Sequence, residues 1–323
     1  MISPDQHRIP TAIDPHTPAL ALMDGLDLEG KTALITGGYS GIGLETCRAL
    51  GSAGARVIIP ARNRHKAEKA LVSVTGMIEI ADMDLADLSS VRRLAGDIVS
   101  SGQPLHLLIN NAGIMACPLS RTPQGWETQF GVNHMGHFAL TLGLLPALRT
   151  ALSSRVVCLS STGHAICGVD FDDPNFEQRE YDKWRAYGQS KSANALFAVG
   201  LDAREKQNGI RAFAVHPGGI MTDLQRHLET EEMAQLGWLN PDGSLSERAA
   251  KMFKTPAAGA STSIFTATSP LLSSIGGVYC EDCDVANLAT EDSPRYRDVR
   301  AHAVDTELAD QLWELSLELL EKA

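Results

Sequence analysis

The feature that most constrains this chain is an alternation of two patterns. Short apolar runs occur at 31–37 (KTALITG), 56–61 (RVIIPA), 77–85 (MIEIADMDL), 105–113 (LHLLINNAG), 155–161 (RVVCLSS), 210–218 (IRAFAVHPG) and 276–280 (GGVYC). Between them lie stretches of helical pattern at 42–53, 64–73, 88–101, 124–151, 183–208 and 256–268. Most of the runs are nearly continuous in Val, Ile and Leu, as strands buried on both faces are in a parallel sheet. Strands alternating with helices predict an α/β fold: a Rossmann-type, doubly wound parallel sheet with helices on both faces. A single domain over 30–285 accounts for the pattern. Residues 1–29, rich in proline and polar residues, read as an irregular arm, either a loose tail or one packed on a neighbouring subunit. Residues 286–323 form a C-terminal extension whose stretch 305–323 has Leu and Trp at helical spacing.

The balance of charge removes whole classes of partner. The formal net charge is -11, which disfavours nucleic acid and anionic membrane surfaces. No apolar run is long enough for a transmembrane helix, and the first twenty residues lack a signal-peptide pattern. The six cysteines are scattered, which fits reduced thiols in the cytoplasm. Cys280 and Cys283 form a lone CxxC with no second ligand pair, so no metal site is expected.

Where ligands should bind follows from the fold, since open α/β sheets hold them beyond the carboxyl ends of their strands. The first strand runs into TGGYSGIG at 36–43 and then a helix. Gly37, Gly41 and Gly43 allow a tight turn and close backbone approach to a pyrophosphate, and the following helix N-terminus favours its charge. At the tip of the second strand stands PARNRHK, with no acidic residue to take a ribose 2′-hydroxyl. Arg62 suits a 2′-phosphate instead, which predicts NADP(H) over NAD(H). Arg64 and Lys66 read as the solvent face of the next helix. Asp84 closes the third strand within reach of an adenine, with helix capping as its other reading. Asn111, Ala112 and Gly113 let the chain pass close to a ribose, and the turn after the sixth strand could meet a nicotinamide carboxamide.

Tyr187 and Lys191 lie four residues apart, on one face of a helix. A phenol titrates near pH 10, and a neighbouring ammonium favours its ionised form, so the pair makes a general acid/base. Tyr181 and Arg185 share the spacing but fall at or before the helix start, as an exposed pair or a pocket wall. Ser161 at the end of the fifth strand can hydrogen-bond a substrate carbonyl, and Ser160 should face the other way. Asn133 is a polar amide in a mostly apolar or small-residue helical stretch, either satisfied in the core or holding a water at a kink.

These residues together resemble a short-chain dehydrogenase/reductase. TGxxxGxG at 36–43, NNAG at 110–113, Asn133, Ser161, the YxxxK of Tyr187 and Lys191, and Pro217–Gly218 fall in the family's order. GVYCEDC and YGQSKSANALFAVGL look like its retinol-dehydrogenase-like branch. No hydrophobic anchor precedes the first strand, unlike many eukaryotic members of that branch. The resemblance implies that Tyr187 exchanges the proton with the carbonyl oxygen, Lys191 depresses its pKa and holds the nicotinamide ribose, Ser161 polarises the carbonyl and Asn133 positions a relay water. It also implies cofactor contacts from Tyr39, Ser40, Ile42, Leu85, Pro217, Gly218, Ile220 and Thr222.

The expected activity is NADP(H)-dependent interconversion of a carbonyl and an alcohol. An NAD(H)-dependent alcohol dehydrogenase, a C=C reductase and a dinucleotide-binding regulator that turns nothing over are the alternatives. The substrate is a small, fairly apolar carbonyl or alcohol. Residues 220–255 are expected to wall its pocket, which Met115, His164, Trp184, Ile220, Met221, Leu224 and Trp238 could line. The long helices at 124–151 and 183–208 resemble those that pair members of the family into homodimers or homotetramers, unless the C-terminal helix covers them.

Overall fold

The computed structural model describes residues 1–294 and 296–323. Its centre is an eight-stranded sheet: β1 (Thr32–Ile35), β2 (Arg56–Ala61), β3 (Met77–Asp82), β4 (Leu107–Asn110), β5 (Ser154–Leu159), β6 (Ile210–His216), β7 (Val278–Glu281) and β8 (Asp284–Val285). The spatial order is β3-β2-β1-β4-β5-β6-β7-β8. The first seven strands pair in parallel, and β8 returns antiparallel beside β7. Chain direction across the sheet reverses between β1 and β4, which opens a crevice at their carboxyl ends.

The seven long runs become strands because nearly every residue in them has a buried place. All four residues of β1 are buried, with Leu34 in one apolar layer and Ala33 and Ile35 in the other. β3 is the exception, at the sheet edge, where burial alternates along the strand. Helices α1 (Gly41–Ser52), α2 (Arg64–Leu71), α3 (Leu88–Ser100), α4 (Gly136–Thr150), α5 (Lys183–Glu205) and α6 (Ser261–Thr268) cover the two faces. Asp182 caps α5, its side chain accepting from the Trp184 and Arg185 amides. A π-helical turn at Gly131–Met135 leads into α4 and carries Asn133.

The last helix, α7 (Thr306–Glu321), lies against α5 and the start of α4. Trp313 meets Phe138 edge-on at 5.1 Å between ring centres, and Arg204 stacks over it at 4.4 Å. The His134 ring bonds the Ser316 hydroxyl at 2.8 Å. Part of the helical face that the resemblance assigns to subunit pairing is therefore covered from within the chain.

The N-terminal segment matches neither reading made of it from sequence. It packs on its own chain. Gln6 is buried, donates to the Tyr279 and Ala286 carbonyls and accepts from the Tyr279 amide. Arg8 pairs with Glu281 and Asp284, and Ala19–Met23 forms a short 3-10 helix whose buried Ala19 and Met23 join the core. The three hydrogen bonds of Gln6 and the two ion pairs of Arg8 on the β7–β8 edge outweigh what proline content suggested, because a sheet edge offers unpaired backbone groups that a polar arm can satisfy. Among the described residues no helix is long and apolar enough to cross a membrane.

Candidate active site

A cavity of about 310 Å³ opens at the β1/β4 crevice. Gly37, Tyr39, Ser40, Gly41, Ile42 and Gly43 form one wall, from the turn that starts α1. Asn111, Ala112 and Gly113 form another, beyond β4. Arg62, Asp84, Leu85 and Thr222 complete the cofactor residues expected from sequence that line it. The two turns are locked together: Asn111 Nδ2 donates to the Thr36 carbonyl at 2.8 Å, and the Thr36 hydroxyl accepts from the Asn111 and Ala112 amides. Gly43 has a steric reason to be glycine, since a Cβ there would stand 2.4 Å from the Gly37 oxygen.

The cradle fits a dinucleotide. It joins a helix N-terminus for a pyrophosphate to cations at the β2 end. Arg64 is turned away to Asp82, and Lys66 reaches Asp223 at 3.4 Å. Arg62 is exposed on the cavity wall with no carboxylate partner among the described residues. Lys66, read from sequence as solvent-facing, lines the cavity too, together with Arg226, which sequence reading missed. Arg226 lies in the irregular segment after β6, where no local pattern points at a cleft formed by distant strands. Asp84 accepts from the Ala86 amide, and the cap of α3 is Asp87.

Five other expected contacts stand outside this cavity: Tyr187 and Lys191 on α5, and Pro217, Gly218 and Ile220 beyond β6. Gly218 lines a second cavity of about 420 Å³ with Thr162, Trp238 and Phe253. Ile220 is buried where a Cβ on Gly259 would touch it.

The reacting groups expected from sequence meet at the carboxyl end of β5. Ser161 starts a 3-10 turn, its hydroxyl accepting from the Gly163 amide at 3.1 Å. A Cβ on Gly163 would stand 3.6 Å from Ser161 Oγ, and the Ser161 side chain pulls down on the pKa of the Tyr187 phenol. Its ring lies over Gly163, where a Cβ would come within 2.8 Å of Cε1. Lys191 Nζ donates to the Leu159 carbonyl at 2.9 Å, while Ser160, facing away from Ser161's partners, donates to the Lys191 carbonyl. Asn133 is held by Ile114 on both sides: the Ile114 amide donates to Oδ1, and Nδ2 donates to the Ile114 carbonyl and to Ser190 Oγ. A Cβ on Gly113 would lie 3.3 Å from Asn133 Oδ1 and 3.6 Å from Lys191 Nζ, so these two heads share one recess.

One electrostatic expectation is overturned. Burial pushes the Tyr187 phenol up to about 12, against the smaller pull of the Ser161 side chain. Burial also pulls Lys191 down to about 8. Proximity to a cation does not lower the tyrosine here, because both groups are fully desolvated and the ammonium is spent on a backbone carbonyl.

Around Tyr187 the packing is apolar. Met115, Ala116 and Leu228 are buried against it, with Trp184, Leu224, Met233 and Trp238 at the edge. Met115, Trp184, Leu224 and Trp238 were anticipated; Leu228 and Met233 were not, because they sit in a polar-looking stretch. Met221 is half-buried outside this cluster. His164 is no pocket wall: it is buried behind Ser161. Tyr181 is neither an exposed partner of Arg185 nor catalytic in placement. Its hydroxyl donates to the Cys117 carbonyl and accepts from Gln129 Nε2, tying the loop after β4 to the approach to α5.

Comparison with known proteins agrees with this geometry. The family described as short chain dehydrogenase matches residues 31–233. A Streptomyces lividans protein named "Probable oxidoreductase" is 43% identical over 300 residues, covering 91% of this chain and 99% of its own. Human retinol dehydrogenase 12 is 38% identical, covering 91% of this chain and 88% of its own. A crystal structure of an uncharacterized protein from Mycobacterium paratuberculosis superposes with a TM-score of 0.71 at 34% identity, covering 94% and 98% of the two chains.

Proposed function

The chain belongs to the short-chain dehydrogenase/reductase family, in its retinol-dehydrogenase-like branch, and we propose that it is an NADP(H)-dependent reductase of apolar ketones or aldehydes, acting on alcohols in reverse. Membership makes it an oxidoreductase of CH–OH and C=O groups that uses a nicotinamide dinucleotide. The observation that carries the finer reading is the juxtaposition of Ser161 and Tyr187 at Gly163, set in apolar packing with Lys191 Nζ 5.6 Å from the tyrosine ring centre.

When bound, the dinucleotide supplies or accepts the hydride. Ser161 polarises the carbonyl oxygen, and Tyr187 gives its phenolic proton to that oxygen as negative charge develops there. A phenol held near 12 is protonated at neutral pH, as donation requires. Lys191 is the cation below the pair, and it is the group placed to hold a ribose hydroxyl near Gly113. In the proposed relay Asn133 contributes the remaining lone pair of Oδ1, both its amide hydrogens being engaged. Arg62, with Lys66 and Arg226, would take a 2′-phosphate. The apolar packing of Met115, Leu228, Trp184 and Trp238 around Tyr187 favours an apolar substrate.

The test is NADPH oxidation with an apolar aromatic aldehyde, 4-nitrobenzaldehyde, followed by product analysis. Formation of the alcohol, lost in Tyr187→Phe while NADPH still binds, supports the reading. Reduction of a C=C bond in an enal in preference to its C=O group, or no turnover despite tight cofactor binding, overturns it.

A further inference from the structure

The catalytic serine is tied to a part of the chain outside the sheet. His164, in the 3-10 turn that Ser161 begins, is 1% exposed. Its Nε2 lies 3.1 Å from the Arg300 backbone amide, which can only donate. That fixes the tautomer: Nε2 accepts, so Nδ1 carries the hydrogen. Nδ1 stands 2.7 Å from the Ser161 carbonyl and donates to it. The Tyr279 hydroxyl oxygen lies 3.2 Å from the same nitrogen, and the Tyr279 ring packs against the imidazole at 4.9 Å between centres. The His164 carbonyl is gripped in turn by His302 Nε2 at 2.9 Å and by the Ser192 hydroxyl of α5 at 3.2 Å.

The turn carrying Ser161 is therefore held from the C-terminal extension at His164, by its ring and by its carbonyl, and the ring passes that hold to the Ser161 carbonyl. An imidazole bonded on both nitrogens and packed on a ring cannot rotate, so the peptide that bears Ser161 has one orientation. We infer that the Arg300–His302 segment positions the Ser161 hydroxyl through His164, making His164 and His302 positioning residues for the carbonyl chemistry. The inference rests on the reading of Ser161 given above. Neither histidine touches substrate; each acts by fixing where the Ser161 oxygen sits relative to the Tyr187 phenol. Displacements of an ångström at such a contact cost on the order of 100-fold in rate, so a partial loosening costs less.

The experiment uses the full chain, NADPH and 4-nitrobenzaldehyde, with kcat, KM and the NADPH dissociation constant measured separately. His302 is half-buried, so His302→Ala should fold. It should lower kcat by about 3–10-fold and leave NADPH binding unchanged. His302→Gln, whose amide nitrogen can reach the same carbonyl, should restore most of it. His164→Asn keeps a donor at the Nδ1 position and should keep most of kcat. His164→Gln places its donor at the other ring position and should lose about 10–100-fold. Ser161→Ala is the control. If it leaves kcat intact, the reading of the site itself fails. If it abolishes turnover while His302→Ala and His164→Gln stay within about twofold of the parent, this inference alone is overturned. Equal losses in the Asn and Gln variants of His164 that follow only their melting temperatures also overturn it. Should the His164 variants not fold, the two His302 variants decide.

Discussion

The Lys191 ammonium stands 5.6 Å from the centre of the Tyr187 ring and gives its hydrogen bond to the Leu159 carbonyl. Burial, acting on each group separately, sets where the two titrate. Tyr187 lies at about 12 and Lys191 at about 8. Reduction needs the protonated phenol, which is present throughout neutral pH. Its kcat/KM should stay level up to about pH 8 and fall beyond, as Lys191 loses its proton. Oxidation needs the phenolate, which forms only as pH rises, so the alcohol reaction should climb over the same range. Profiles in the two directions that run parallel would sink this assignment.

Replacing Tyr187 by Phe removes the phenolic proton that stands beside Ser161. Turnover should drop by about 100–10,000-fold, the usual worth of a placed acid/base group, with NADPH binding retained. Stopped-flow reduction and a fluorescence titration of NADPH separate the two effects.

Among the described residues no carboxylate pairs with Arg62 at the β2 tip. A charge-assisted hydrogen bond lost at Arg62→Ala, at about 1.5–3 kcal/mol, should weaken NADPH by roughly 10–100-fold and NADH hardly at all. Equal weakening of both cofactors would place Arg62 away from the 2′-phosphate.

Acid should destabilise the fold early. Burial pulls His134 and His216 down to about 3 and His137 and His164 to about 4. The unfolded chain protonates these rings near 6.5, before the folded one does. Stability from their neutral burial is therefore complete above pH 6.5 and is lost as pH falls toward 3–4. Each ring costs about 1.4 kcal/mol per pH unit in that window. Glu127, whose carboxyl burial pushes up, works weakly the other way. Urea midpoints at pH 7 and pH 5 should differ clearly; identical midpoints would mean these rings already sit in contact with solvent.

With α7 over the faces of α4 and α5, those helices should not pair two copies. Light scattering should give a mass near the 34.6 kDa of one chain. Trp313→Ala should cost about 3–5 kcal/mol through the cavity it leaves, and the uncovered face should then promote self-association. A dimer in the parent protein that Trp313→Ala leaves unchanged would show that pairing uses another surface.

The strands β1–β7 were legible because a strand buried on both faces admits almost nothing but apolar residues. β8 was not. It has two residues, and its hairpin turn places Asp282 and Cys283 at φ of 51° and 56°, without the glycine or asparagine that usually announces such a turn. Tyr187 and Lys191 could be paired from spacing, since four residues make one helical turn. The direction of their pKa shifts could not, because it depends on burial contributed by Met115, Leu228 and a turn 24 residues upstream of Tyr187. Arg226 went unread, and His164 was read as a pocket wall, for the same reason: Arg226 meets a cavity shared with Arg62 and Lys66, and the partners of His164 come from β7 and the C-terminal extension.

Gln6 bonds to residues made 273 and 280 positions after it. During synthesis the first residues must wait, unpartnered, until almost the whole sheet has emerged. The edge at β7 and β8 is then closed by segments more than 270 positions apart in the polypeptide. A ribosome stalled before Tyr279 would hold a chain with its main sheet formed through β6 and its amino end still loose. Protease resistance of that end in such stalled chains would report when the final edge is sealed.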